Sequence, residues 1–186
     1  MQRILAAFLI LAGFALAGCA QPQMRASLFT TSYDEPYRLA SGDRLRILVF
    51  GQDAISNSYS VDASGNVSMP LAGLVRAEGA TTKELEKIIE ARLRNGFLRN
   101  PQVSVEIEAY RPFYILGEVV TAGQYPYVSG LTVQKALAIA GGFSPRAYRR
   151  SVNLTRAIEG RPVTAAVPLT QLVQPGDTIT VRERFF

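Results

Sequence analysis

The residues able to carry chemistry in this chain are few in kind. Histidine is absent and Cys19 is the only cysteine, so neither a Ser-His-Asp nor a Cys-His nucleophilic site can be assembled. Zinc held by His or Cys is excluded for the same reason, as is a disulfide within the chain. What remains is carboxylates, hydroxyls, eight tyrosines, three lysines and a large arginine set. Asp43, Asp53, Asp62, Glu106, Glu108 and Glu118 are the carboxylates available for a glycosidase-type acid and nucleophile. Glu106 and Glu108 alternate onto one strand face, where an exposed pair is ordinarily solvated surface, and nothing else marks a cleft. No glycine loop followed by lysine is present to cradle a nucleotide phosphate. The reading is therefore a non-enzyme with no metal and no cofactor. Arginines give most of a net charge of +5 and are spread along the sequence, apart from Arg146, Arg149 and Arg150. Without a dense basic stripe interleaved with aromatics, nucleic acid is not an expected partner. Two sets of side chains are candidates for ligand or partner contact: Arg146, Arg149 and Arg150, whose forks suit the carboxylates and phosphates of acidic sugars, lipid headgroups or an acidic partner, and Tyr114, Tyr125 and Tyr127, whose ring faces can pack on sugar C–H faces. The tyrosines serve sheet packing equally well.

Cys19 has a distinct setting. Arg3 precedes an apolar run from Ile4 to Ala17, too short for a bilayer span but fitting a secretory signal. Leu16-Ala17-Gly18-Cys19 resembles the bacterial lipoprotein box, in which the thiol takes a diacylglyceryl group and the signal is cut before it. Each buried methylene contributes about 0.8 kcal/mol, so three acyl chains hold where one is marginal. In such lipoproteins an aspartate after the cysteine signals inner-membrane retention. Ala20 stands there instead, which implies the periplasmic face of the outer membrane. Residues 1–18 are thus expected to be a signal peptide and 19–36 a flexible tether.

The body, 37–186, divides into two small α+β modules, each with one helix on a mixed sheet. In the first, 37–110, Arg44–Phe50 alternates as a strand with Leu45, Ile47 and Val49 inward. Ser58–Val61 and Val67–Leu71 are expected to pair as a hairpin around 62–66. Thr81-Thr82-Lys83-Glu84 opens a helix with a capping box, and Leu85, Ile88, Ile89 and Leu93 form its apolar face. A strand through Val103, Val105 and Ile107 closes the module. In the second, 111–186, the spacing predicts strands at Phe113–Val120 and Tyr125–Val128, a helix over Thr132–Ala140, short strands at Val152–Arg156 and Val163–Val167, and a last strand at Thr178–Arg182. Gly141 and Gly142 stop the helix. Gly42-Asp43 and Gly176-Asp177 form an internal echo, each immediately before an alternating strand. Asp43 and Asp177 are read as structural turn residues, not as a catalytic pair.

Three stretches resemble the polysaccharide export family of bacterial outer-membrane lipoproteins. Tyr37–Phe50, with Val61–Gly65 and Met69–Leu71, is similar to the start of that family's export domain, and Leu98–Val105 to its end. Ile115–Val119, Gly123–Tyr125 and Ala140–Phe143 resemble the soluble-ligand-binding β-grasp module that follows it. The resemblance implies export of capsular or exopolysaccharide by a ring of identical subunits, with an inner-membrane copolymerase as partner. Longer members of the family continue into an amphipathic helix that helps to pierce the outer membrane, whereas this sequence ends at Arg184-Phe185-Phe186. The expectation is therefore a short form: a periplasmic collar around the polysaccharide chain, beneath a separate outer-membrane β-barrel. The alternatives are a monomeric envelope sugar-binding module and a periplasmic glycan hydrolase.

Overall fold

The structure is a computed structural model that describes residue 29 and residues 36–184. The signal segment 1–18 and Cys19 lie outside the described residues. The fold is α+β, two small modules with separate apolar cores.

In the first module β1 (Arg44–Val49) lies between β2 (Asn57–Ser60) and β5 (Val103–Ala109), antiparallel to both. Its alternation puts Leu45, Ile47 and Val49 inward, against Leu85, Ile89 and Leu93 of helix α1 (Thr82–Arg94). Thr81 caps that helix, its hydroxyl accepting from the Glu84 amide at 3.2 Å while the Glu84 carboxylate accepts from the Thr81 amide at 2.8 Å. Ile88, expected on the apolar face, sits at the margin of the stripe and is exposed. Glu86 and Glu90 reach from α1 to accept the Val105 and Val103 amides, covering donors on the free edge of β5.

The expected hairpin is not formed. β2 pairs with β1, whereas β3 (Asn66–Met69) pairs with β4 (Gly73–Arg76) in a separate two-stranded sheet. The Asp62–Asn66 loop is tight as anticipated, with the Asp62 carboxylate accepting from the Ser64 and Asn66 amides. The Asp62 amide donates to the Asn66 carbonyl, so the loop closes on itself, but the pairing does not continue into a β2–β3 ladder. Gly73–Arg76 is the nearer partner, reached through Pro70-Leu71-Ala72, and it brings Val75 opposite Val67 in the core.

The second module is a five-stranded mixed sheet in the order β7-β6-β10-β8-β9. Its strands are β6 (Phe113–Gly117), β7 (Gly123–Tyr125), β8 (Val152–Ile158), β9 (Arg161–Val167) and β10 (Thr178–Val181). β6 and β10 run parallel and the remaining pairs are antiparallel. Helix α2 (Val133–Ile139), capped by Thr132, covers one face through Val133, Ala136 and Leu137. β6 ends three residues earlier than its apolar run suggests, because Gly117 adopts a φ of +86° and its Cα faces the Val181 carbonyl with no room for a side chain. β7 likewise lies earlier than the expected Tyr125–Val128.

The segment read as a free tether is fixed at one point. Phe29 is fully buried in the second module's core, its carbonyl accepting from Gln171 Nε2 at 2.7 Å.

Candidate functional site

Both Gly-Asp turns lie at the junction between the modules. Asp43 and Asp177 are buried, and each accepts the amide three residues back, from Ala40 at 2.9 Å and Gln174 at 2.7 Å. Gly42 and Gly176 take φ of +92° and +85° to make these turns. The two carboxylates then differ in their partners. Asp43 accepts the Tyr37 hydroxyl at 2.8 Å and the Arg111 amide at 3.0 Å, with the Arg111 guanidinium 3.7 Å away. Asp177 accepts a two-pronged bond from Arg156, 2.9 Å at Nε and 2.7 Å at Nη2. Burial pushes the Asp177 carboxyl above its ordinary value while Arg156 pulls it back. Burial also raises the Tyr37 phenol.

Arg111 joins the two turns. A Cβ on Gly42 would touch the Arg111 side chain at 3.5 Å, and one on Gly176 would meet its Nε at 2.7 Å. An edge-to-face ladder runs beside it, Tyr37 to Tyr110 at 4.9 Å and Tyr110 to Tyr127 at 5.2 Å. This bonding keeps the two carboxylates occupied.

The sheet of the second module has one face under α2 and one uncovered. Pairing registers fix what lies on the uncovered face. One row crosses all five strands as Gln124, Tyr114, Thr178, Thr155 and Thr164. A second runs Leu116, Thr180, Asn153 and Ala166. Thr155 and Thr164 share a hydroxyl hydrogen bond at 2.8 Å. Neither row contains a charged residue.

Continuing β10 past its end, the same alternation brings Arg182 and Arg184 onto this face. There the chain pairs with the segment after α2: Ala147 bridges Glu183, the Tyr148 amide donates to the Arg182 carbonyl, and the Arg184 amide donates to the Arg146 carbonyl. Arginines that look scattered in the sequence are thus gathered at the end of the module far from Gly176. Arg146 lies 3.4 Å from both Glu118 and Glu183. Arg182 stacks over Tyr148 at 4.9 Å and donates to Ser151 Oγ at 3.1 Å. Arg149, Arg150 and Arg184 are exposed, and their side chains have no bonded partner among the described residues.

Of the side chains singled out from sequence, Tyr114 lies on the uncovered face and Arg146 at the pole, in the segment paired with 182–184, with Arg149 and Arg150 following it as exposed residues. Tyr125 does not join them: it lies opposite Phe113 on the inner face, stacked at 5.9 Å, its hydroxyl donating to the Thr121 carbonyl. Tyr127 is half-buried in the junction ladder. Gly141 and Gly142 sit at the end of α2 with φ of +80° and +90°, the Gly142 amide returning to the Leu137 carbonyl. Sequence reading missed Arg111, Arg156, Arg182 and Arg184. Arg156 carried a signal, a charged residue at the inward position of a strand whose other inward residues are Val152 and Leu154. A separate open hollow of about 560 Å³ in the first module is lined by Leu48, Phe50, Asp53, Gln102 and Ser104 among others. No cluster of metal-ligating side chains occurs among the described residues, and no described helix is long and apolar enough to cross a membrane.

Comparison with known proteins places this geometry in context. Residues 31–108 match the family described as polysaccharide biosynthesis/export protein, and residues 112–165 match the SLBB domain. The chain is 38% identical over 120 residues to the exopolysaccharide production protein ExoF of Rhizobium meliloti, covering 58% of this chain and 28% of the relative. It is 28% identical over 185 residues to the EPS I polysaccharide export outer membrane protein EpsA of Ralstonia nicotianae, covering 80% and 48%. With the polysialic acid transport protein KpsD of Escherichia coli it shares 25% identity over 118 residues, covering 62% and 21%. The chain therefore spans at most about half the length of these relatives.

Proposed function

This chain belongs to the polysaccharide export protein family, and from that premise we propose that it is a non-enzymatic component of a machinery that moves exopolysaccharide or capsular polysaccharide out of the cell. The carrying observation is the order of the two matched domains, an export domain followed at once by an SLBB domain, in one chain. The relatives' names, which speak of exopolysaccharide production and polysaccharide export, support the same reading.

The finer picture has a thioether-linked lipid at Cys19 mooring the protein to the periplasmic face of the outer membrane. Several copies form a collar around the polysaccharide, between an inner-membrane copolymerase and a separate outer-membrane β-barrel. Such a conduit makes weak, repeated contacts, because a chain that must leave cannot be held tightly at any one place. Buried turn carboxylates and a tied junction suit this role, since they hold the modules in one orientation without presenting reactive groups. The polysaccharide passes through without covalent change.

The test is a strain of the native host lacking this chain, with surface and periplasmic polysaccharide measured separately. Surface polysaccharide should fall and be restored by the wild-type gene. Normal surface polysaccharide in the deleted strain would refute the role. Sedimentation of the detergent-extracted protein tests the collar: a strict monomer would favour a sugar-binding module instead.

A further inference from the structure

We propose that the uncovered face of the second module's sheet, together with the arginine pole at its end, binds a polysaccharide that carries carboxylate groups. The inference rests on the export role and adds the chemical class of the chain and the surface that touches it.

Charge is the first support. Residues 37–110 hold nine Lys or Arg against nine Asp or Glu, whereas residues 111–186 hold nine against four. In the second module Arg156 is consumed by Asp177, and Arg111 by the junction. Most of the rest of the excess stands at one pole, where Arg146, Arg149, Arg150, Arg182 and Arg184 gather and the ion pairs among the described residues are those of Arg146 with Glu118 and Glu183. Arg146 and Arg184 stand across from each other on paired segments, and whereas Arg146 has Glu118 and Glu183, the exposed Arg149, Arg150 and Arg184 have no carboxylate partner among the described residues. An anionic ligand supplies one. Guanidinium forks match the planar geometry of a carboxylate, and the stacking of Arg182 on Tyr148 fixes one of them in place.

The adjoining face supplies the second support. Five strands spaced about 4.8 Å apart give a surface roughly 19 Å across. It is built from hydroxyls and amides, Thr178, Thr155, Thr164, Thr180 and Asn153, with Tyr114 as its aromatic. The large apolar side chains of these rows, Tyr114 and Leu116, both lie on β6 toward one side, while the central strands β10 and β8 carry threonines and Asn153, so the face has no apolar centre of the kind a protein partner needs. An anionic membrane would use the arginines and leave the hydroxyl rows idle. A polyhydroxylated polymer with periodic acidic groups uses both: hydroxyls and the Tyr114 ring for the sugars, guanidinium groups for the carboxylates.

The experiment uses the full chain and, as probe, oligomers of polygalacturonate, with neutral dextran oligomers, phosphatidylglycerol vesicles and polyglutamate as comparisons. Binding is read by calorimetry and by amide shifts. Polygalacturonate should bind most strongly, weaken as salt rises, and shift amides of both the threonine rows and the arginine pole. Arg149→Glu with Arg150→Glu, both exposed, should weaken it by about tenfold or more. Tyr114→Ser should weaken it without changing the salt dependence. Equal affinity for dextran, vesicles or polyglutamate, or an Arg149→Glu/Arg150→Glu variant that binds normally, would overturn the proposal. The export role is judged separately, by the deleted strain. Export lost on deletion together with the absence of polygalacturonate binding would end this inference and leave the role standing.

Discussion

Replacing Arg156 by methionine tests the physical reading of the junction. Arg156 and Asp177 are 7% and 1% exposed, joined by two short bonds, and the guanidinium also donates to the Leu172 carbonyl and lies over the Phe29 ring. Removing the cation leaves a buried carboxylate with the Gln174 amide, a loss of about 3–5 kcal/mol. For a chain of this size that lowers the melting temperature by roughly 6–20 °C. Asp177→Asn strands the arginine instead and should cost a similar amount. The double variant Arg156→Met/Asp177→Asn removes both charges while asparagine still accepts the Gln174 amide, so it should lie within about 1–2 kcal/mol of wild type. Acidity gives an independent reading. The folded Asp177 carboxyl titrates above its unfolded value. Its contribution is therefore fully present below the unfolded value and declines as pH rises through the folded one. Arg156→Met removes the group that pulls it down, so that variant's deficit should shrink on acidification. Urea denaturation of the four proteins at neutral and mildly acidic pH supplies the measurement. Single-variant losses that simply add in the double variant, or a deficit that grows in acid, would refute the argument.

Phe29→Ala should destabilise the second module by about 3–5 kcal/mol, the cost of emptying a buried aromatic site, seen as a lowered melting temperature. An unchanged melting temperature would mean that this residue does not hold the segment to the core. Gly117→Ala combines a positive φ with a collision against the Val181 carbonyl, so it should cost at least about 2 kcal/mol and raise amide exchange along β6 and β10. Glu84 is held below its ordinary value first by its bond to the Thr81 amide. That support exists above the unfolded value and is lost as pH falls through the folded one. Glu84→Ala should accordingly speed exchange of the Thr81 amide at neutral pH, and the difference from wild type should vanish in acid.

What the sequence reveals of this fold follows the range of the interactions. α1 is legible because a capping box and a 3.6-residue stripe are local signals, and β1 and β5 because alternation is local too. The partner of a strand is a different matter. Val67 and Met69 fit a hairpin with 58–61 as well as they fit Gly73–Arg76, and only the shared core with Val75 decides. The Gly-Asp echo is visible in the chain, yet nothing local says that both turns meet at Arg111. Arg146 and Arg184 are separated by half of the second module, so the arginine pole emerges only when the last strand is placed. Phe29 lies in an aperiodic stretch, where a single aromatic carries no pattern. Tyr125 and Tyr114 belong to neighbouring strands, and register alone puts them on opposite faces.

The central claim is that the chain carries out export and not synthesis, and a sugar-label pulse and chase in cells depleted of it separates the two most directly. Labelled polysaccharide should form at its usual rate, remain in the periplasmic fraction, and reach the surface once the chain is re-expressed. Label arriving at the surface on the normal schedule during depletion would contradict the account.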